Sequence, residues 1–281
     1  MDITDLSDEE VNALTEAIHK RYGLDFTCYE LKSLKRRILR ILHLYKLQSS
    51  HELWQKVLRE KEFIQVLINE ISVGLTAMFR DPELWAYLRD VVLPPLANRP
   101  AIRIWHAGCS TGEEIYTMAI VLKEVGLLSK AKALATDMNS EALQASEKGE
   151  YHKIKMIEYG RNYAQYQPKK DFQEYCSLDA NHYVAKPYLR AHVKFTLHNL
   201  VTEPIQGKYD IIFCRNVMIY FDQATKERLL HAFHQALYPG GYFIIGFFDS
   251  IVSLIDKEKF SFENPGLRVY KKVASKMIEV G

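Results

Sequence analysis

The sequence predicts an α/β protein: a doubly wound, mostly parallel sheet with an N-terminal all-helical domain and a small inserted subdomain. Three observations predict it. Up to residue 75, apolar residues recur only at helical spacing. After Ala101, short apolar runs alternate with amphipathic ones, the pattern of parallel strands joined by crossover helices. Between the two, residues 104–116 (IWHAGCSTGEEIY) join the end of a buried strand to a helix through a turn of small residues. The chain therefore divides into a helical domain (1–75), a connecting segment and linker helix (76–100) and an α/β domain (101–281) with an insertion at about 151–192.

Each element has its own signal. Ser7 with Glu10 makes a capping box ahead of Val11, Leu14 and Ile18. A second helix runs from about Glu30 to Tyr45. Leu31, Leu34, Ile38, Ile41 and Leu42 make its apolar face, and Lys32, Lys35, Arg36, Arg37 and Arg40 its basic one. Two further helices carry Trp54, Val57 and Leu58, then Phe63, Val66, Leu67 and Ile71. Arg89 to Pro100, with Pro94 and Pro95, reads as a helix end and linker. Strands are expected at Ile102–Trp105, Ala133–Thr136, Val193–Leu197, Ile211–Cys214, Gly241–Gly246 and Leu267–Tyr270. The fifth follows the turn Pro239-Gly240-Gly241 and is apolar throughout, as a central parallel strand should be. Tyr151–His192 breaks the rhythm: it is rich in Tyr and Lys and poor in aliphatics, and reads as an insertion.

Composition sets the outer limits. A chain of 281 residues, 48% hydrophobic, can bury a large core. A net charge of +2 is too mild to argue for nucleic acid. The four cysteines (Cys28, Cys109, Cys176, Cys214) are scattered without a CxxC pair, which fits a reducing cytoplasm. The acidic opening MDITDLSDEE is read as excluding a signal peptide. No apolar run reaches the ~18 residues of a membrane span. The ten histidines show no HExxH or HxxxH spacing, so no metal is expected. Without a coiled-coil seam, the expected state is a monomer.

The turn after the first strand carries the first chemical signal. Gly108 and Gly112 permit positive φ and close approach of backbone to a ligand. Glu113 and Glu114 stand where the helix begins. A phosphate site wants basic groups and bare N–H donors there, whereas paired carboxylates suit a ligand presenting a cation or hydroxyls. The plainer reading is a βα turn with Glu favoured by the helix dipole. Asp137, at the end of the second strand, is placed to hold a ribose diol. It follows Gly108 by 29 positions, longer than the ~20 of a dinucleotide site. That offset fits a nucleoside with an amino-acid tail, such as S-adenosylmethionine. Alternatively, Asp137 caps the following helix, a role Asn139 or Ser140 could also take.

The third signal is YDIIFCRNVMIYFD (Tyr209–Asp222). A buried strand ends in Arg215–Asn216, where doubly wound sheets bind ligands. Together with TAMFRDPELW (Thr76–Trp85), AGCSTGEE and HNL (His198–Leu200), it resembles the chemotaxis-receptor glutamate methyltransferase family, CheR, over essentially the whole chain. The IWHAGCSTGEE and RNY (Arg161–Tyr163) features mark its branch. The resemblance implies a class I S-adenosylmethionine methyltransferase-like catalytic domain and S-adenosylmethionine as cofactor, leaving as S-adenosylhomocysteine. It places Thr76 and Arg80 at the cofactor and the methyl-transfer site. Gly108, Glu114 and Asp137 would bind the cofactor, with Asp137 on the ribose. Asn199 and Leu200 would line the adenine pocket, Asn216 and Val217 would close the methionine end, and Tyr220 would face the sulfonium. Arg80 and Tyr220 are the implied catalytic pair.

The implied partner is the cytoplasmic helical domain of a chemoreceptor, docked on the basic face Lys32, Lys35, Arg36, Arg37 and Arg40, with no nucleic acid and no membrane insertion. Plainer readings stand beside these: Arg80 with Asp81 as a surface ion pair, Tyr220, Leu200 and Val217 as core, and the basic face as solvated. The chain also departs from the family. Gly74 stands where an Asn is usual, Met78 replaces an aromatic, Ile115 replaces a Pro, and GFFDS (Gly246–Ser250) replaces a GHSES-like segment. Two other functions remain open: methylation of RNA or another protein, and a catalytically weak S-adenosylmethionine-binding signalling module.

Overall fold

The computed structural model describes residues 6–72, 74–168 and 170–274. The acidic opening at 1–5 and the C-terminal residues 275–281 lie outside them. Ser7 opens α1 (Asp8–Tyr22) with the expected box: its side chain accepts the Glu10 N–H, and the Glu10 carboxylate accepts the Ser7 N–H. The carboxylate of Glu30 caps α2 (Leu31–Leu44) by accepting the N–H groups of Lys32 and Ser33. Helices α3 (Ser50–Arg59) and α4 (Phe63–Ile71) complete a domain whose core joins Leu14, Ile18, Phe26, Leu34, Ile38, Leu53, Val57 and Leu67.

The linker helix expected within 76–100 is present, but it runs on past the helix end read from Arg89. It is a nearly continuous helical run: α5 (Pro82–Tyr87), a π turn over Leu88–Val92, and α6 (Leu93–Leu96). Pro94 and Pro95 lack N–H donors. The ladder widens just before them, where the Leu93 N–H reaches back to Leu88 O. Leu84, Trp85, Leu88, Val92, Leu93 and Leu96 all face inward, so the run is packed against the sheet rather than left as a tether.

The α/β domain then alternates as expected. Its elements are β1 (Ile102–Ala107), α7 (Glu113–Glu124), β2 (Ala131–Asp137) and α8 (Ser140–Lys148). The insertion follows, with β3 (Glu150–His152), α9 (Lys155–Gln165), β4 (Cys176–Asp179) and β5 (His182–Ala185). The chain returns through β6 (Val193–Leu197), β7 (Tyr209–Cys214), α10 (Gln223–Ala236), β8 (Leu237–Ile245), β9 (Phe260–Asn264) and β10 (Val269–Lys272). Among the described residues the main sheet has seven strands in the order β6-β2-β1-β7-β8-β10-β9. Strand β10 is antiparallel to both its neighbours, while the β6 to β8 pairings are parallel. The chain moves outward from β1 to β2 and β6, then crosses back to β7. The ends of β1 and β7 are therefore the topological switch point, where such sheets bind ligands. Strand β9 was not anticipated, although Phe260 and Phe262 alternate with polar residues there. Leu267–Tyr270 begins its strand only at Val269, because Arg268 sits at φ 60° in the preceding turn.

The insertion is a three-stranded antiparallel sheet, β3-β5-β4, plus α9. Its tyrosines explain its composition. Tyr163, Tyr166 and Tyr175 donate their hydroxyls to Glu124 at the end of α7, and Tyr159 donates to Glu113. Burial and the nearby Glu124 carboxylate push the Tyr163 hydroxyl well up. Asn162 donates to Met78 O at 3.0 Å, so the Arg161–Tyr163 motif supports the Thr76–Arg80 segment.

The helical domain is stitched onto the α/β domain at two places. Tyr29 bridges to Phe221 as a short antiparallel pair, with Glu30 N–H donating to Tyr220 O and Asp222 N–H to Cys28 O. Gln65 and Asn69 on α4 exchange hydrogen bonds with Asn139 and Glu141 at the start of α8. Among the described residues no helix is long and apolar enough to cross a membrane.

Candidate active site

A cleft opens at the carboxyl ends of β1, β2 and β7, walled on one side by the helical domain. It encloses about 980 Å³, open mouth included. The structure brings Thr76, Arg80, Gly108, Glu114, Asp137, Asn199, Leu200, Asn216, Val217 and Tyr220 together in its lining, although they span 145 positions of the chain. The basic face of α2 is not brought together in this way. Lys35 pairs with Asp8, Arg40 pairs with Glu70, and Lys32 and Arg36 are exposed. Arg37 turns inward, its guanidinium 5.7 Å from the centre of the Tyr220 ring.

The floor is the turn after β1. Gly108 N–H and Cys109 N–H both donate to Thr136 O, folding the turn against β2. At Gly108, φ is +82° and a Cβ would lie 2.5 Å from Val217 Cγ2. The glycine thus lets the Val217 loop close on the turn, which differs from the expected role of admitting a ligand. Gly112, at φ +91°, likewise makes room for Ser146.

The two glutamates separate. Glu113 is fully buried on the far side, accepting from Thr111, Lys155 and Tyr159. Only Glu114 faces the cleft, because adjacent helical positions point about 100° apart. Its carboxylate accepts from His106 Nδ1 at 2.8 Å and Arg215 Nη1 at 3.1 Å. Burial pushes this carboxyl up, but the His106 hydrogen bond and the Arg215 charge outweigh it and hold it below the ordinary value. Glu114 therefore stays anionic at neutral pH.

Asp137 accepts the N–H groups of Ser110 and Asn139. Burial nevertheless pushes its carboxyl up. Asn139 caps α8, accepting from Glu141 and Ala142, so capping is not the task of Asp137. Asn199 and Leu200 are buried at the opposite end, with Asn199 Oδ1 accepting the Val201 N–H.

Asn216 sits at φ 59°. Its N–H donates at 2.7 Å to Asp249, whose buried carboxylate also accepts from Gly246 and Ile219. The Asp of GFFDS is thus the staple of the Asn216 loop, while Phe247 and Phe248 are 58% and 67% exposed. Desolvation pushes Asp249 up to about 6, against those N–H bonds. As pH falls through about 6 the carboxyl takes a proton and one N–H loses its acceptor, so kcat/KM should fall there. Folding stability follows the opposite sign. The folded value of about 6 lies above the ordinary 3.8, so the folded state holds this proton more tightly. Asp249's contribution is full below about 3.8 and is lost as pH rises through about 6. Urea unfolding across that window, with Asp249→Asn as control, checks the sign.

Tyr220 ends the short 3₁₀ turn Met218–Tyr220. Burial pushes its hydroxyl up, against the charges of Arg37 and Arg80, so it stays a neutral donor. Arg80 donates to Leu75 O at 3.1 Å. It does not pair with Asp81, which instead meets Arg215 at 2.5 Å.

Tyr29 and Ser110 are among the lining residues that the sequence does not single out, and Arg215 is named there only as the end of its strand. Tyr29 reaches the cleft only because the helical domain docks there, and has no local signal. Ser110 carries a buried Oγ without a hydrogen-bond partner among the described residues. Arg215 had a signal, an arginine directly after an all-apolar central strand. An unpartnered hydroxyl on the floor and two carboxylates at separate stations fit a nucleoside bearing an ammonium and a diol. S-adenosylmethionine has both, and Glu114, Asp137 and Ser110 would hold it.

Comparison with known proteins agrees. Residues 74–266 match the CheR methyltransferase SAM-binding domain, and residues 9–72 match the CheR all-alpha domain. A Pseudomonas putida protein named Cher3 is 34% identical over 266 residues, covering 95% of this chain and 97% of that one. A chemotaxis protein methyltransferase of Listeria innocua is 30% identical, covering 86% and 90%. One from Vibrio parahaemolyticus is 29% identical, covering 95% and 98%. The chain belongs to the CheR family of S-adenosylmethionine-dependent methyltransferases.

Proposed function

We propose that the protein methylates glutamate side chains of chemoreceptors, forming glutamate methyl esters, and that it does so in the cytoplasm. The observation that carries this reading is a pair of guanidiniums near Tyr220: Arg80 lines the cleft with it, and Arg37 packs over its ring. Such a site suits an anionic acceptor. S-adenosylmethionine supplies a methyl group on a sulfonium cation. A glutamate is already ionised at pH 7, its pKa being ~4.3, so the protein needs no general base. Its work is to position the acceptor and exclude water. Arg80 holds the carboxylate in a fork, and Tyr220 donates a hydrogen bond beside it. The Listeria and Vibrio relatives, both named chemotaxis protein methyltransferase, support a chemoreceptor as substrate. Mapping of receptor peptides after incubation with the cofactor should find the methyl group on glutamate side chains. Methyl on lysine, arginine or RNA would overturn the proposal.

The exposed part of the basic helix gives a separable prediction. Arg37 packs on the ring of Tyr220, a cleft residue, so the docking test uses Lys32 and Arg36. Reversing both to Glu should lower kcat/KM for receptor by about tenfold at low salt, through slower encounter. The deficit should narrow at high ionic strength, and cofactor affinity should not change. Equal rates on receptor membranes at low salt would assign this face to solvent.

A further inference from the structure

One buried guanidinium touches both halves of the site. Arg215 Nη1 donates to Glu114, the carboxylate facing the cofactor end, at 3.1 Å. Its Nη2 donates to Asp81 at 2.5 Å and to Arg80 O at 3.3 Å. The backbone there is strained: Phe79 lies at φ 52° and Asp81 at φ 58°, one on each side of Arg80. Something must hold those conformations. Trp85 Nε1 donates to the same Arg80 carbonyl, Phe79 N–H donates to Thr117 Oγ1, and Arg215 closes the turn from below. Arg215 cannot drift, because its guanidinium lies over the Trp85 ring, which stacks on Phe213, which stacks on His106, the second donor to Glu114.

We propose that Arg215 is a positioning residue that couples the cofactor station to the acceptor station, fixing Glu114 and the strained Phe79–Asp81 turn with one fork. Lysine cannot replace it, since a single ammonium lacks the planar pair of donors that spans two carboxylates. The proposal rests on the reading of Arg80 as the acceptor-holding group.

The test is a cycle of variants read by methyl transfer and by calorimetric binding of S-adenosylmethionine. Asp81→Asn takes the carboxylate charge from the arm to the turn and leaves the bonds to Arg80 O and Glu114. It should lower kcat or raise the acceptor KM at least tenfold, with cofactor Kd within threefold. Arg215→Lys should weaken both cofactor binding and transfer at least tenfold. In an Arg80→Ala background, Asp81→Asn should cost less than twofold, because the turn then presents nothing. A merely structural role predicts otherwise: Asp81→Asn would add its full cost in that background, or would weaken cofactor and transfer in parallel, and either result overturns the coupling. If Arg215→Lys fails to fold, the Asp81 cycle still decides. Alkali-stable label with a non-additive cycle would overturn the glutamate proposal and uphold the coupling. Alkali-labile label with an additive cycle would do the reverse, and unchanged transfer by Arg80→Ala would overturn both.

Discussion

Replacing Arg80 by alanine should slow methyl transfer by at least about 100-fold, the scale of losing one preorganised charged donor at a reaction centre. S-adenosylmethionine should still bind within a few-fold of its normal affinity. The asymmetry follows from placement. Arg80 lines the cleft with Tyr220 and, among the described residues, its side chain donates to Leu75 O, whereas the carboxylates Glu114 and Asp137 stand on the βα turn and at the end of β2. Removing Arg80 therefore takes away the fork for the acceptor and leaves the floor intact. The loss should appear in kcat as well as in KM, because a misplaced carboxylate is bound but not aligned. Arg80→Lys should recover part of the rate, since charge returns without the fork. Single-turnover transfer with calorimetry checks both halves. Transfer within threefold of normal would show that another group holds the acceptor.

Glu114→Gln should weaken S-adenosylmethionine by at least about 100-fold, or ~2.7 kcal/mol. Glu114 is the carboxylate between His106 and Arg215, and it is held ionised by them. A glutamine offers one acceptor where two donors converge, so its NH₂ must face one of them. The buried Arg215 also loses one of its two carboxylates, a change worth several kcal/mol in comparable buried pairs. Part of that cost appears as lower folding stability and part as lost attraction for a cationic ligand. Thermal unfolding separates the two. Cofactor affinity within threefold, with lowered stability, would reduce Glu114 to a structural partner of Arg215.

The family and the fold class were legible because their signals are local. IWHAGCSTGEE states a strand, a turn and a helix within a dozen residues, and YDIIFCRN states a buried strand with its functional end. The helical domain followed from periodicity and one capping box. What sequence did not give is what long-range packing decides. Arg89–Pro100 reads as a helix end and linker because two prolines break a helix locally. The π turn absorbs them, and the apolar stripe from Leu84 to Leu96 keeps the run on the sheet. Glu113 and Glu114 looked equivalent, yet helical geometry sends one into the insertion and the other into the cleft. Arg37 looked like one member of a solvated basic face until α2 docked beside Tyr220. Asp249 stands in the segment GFFDS that departs from the family, and its three N–H bonds make it a staple. Each of these depends on packing against a part of the chain distant in sequence, which no local pattern reports.

The central claim is that the transferred methyl ends on a carboxylate. The most direct test incubates the protein with methyl-labelled S-adenosylmethionine and receptor-containing membranes, then treats the product with alkali. Label released as volatile methanol is the result expected, since a glutamate methyl ester hydrolyses under those conditions. Label that stays on the product through alkali would contradict the account and place the methyl on nitrogen or RNA.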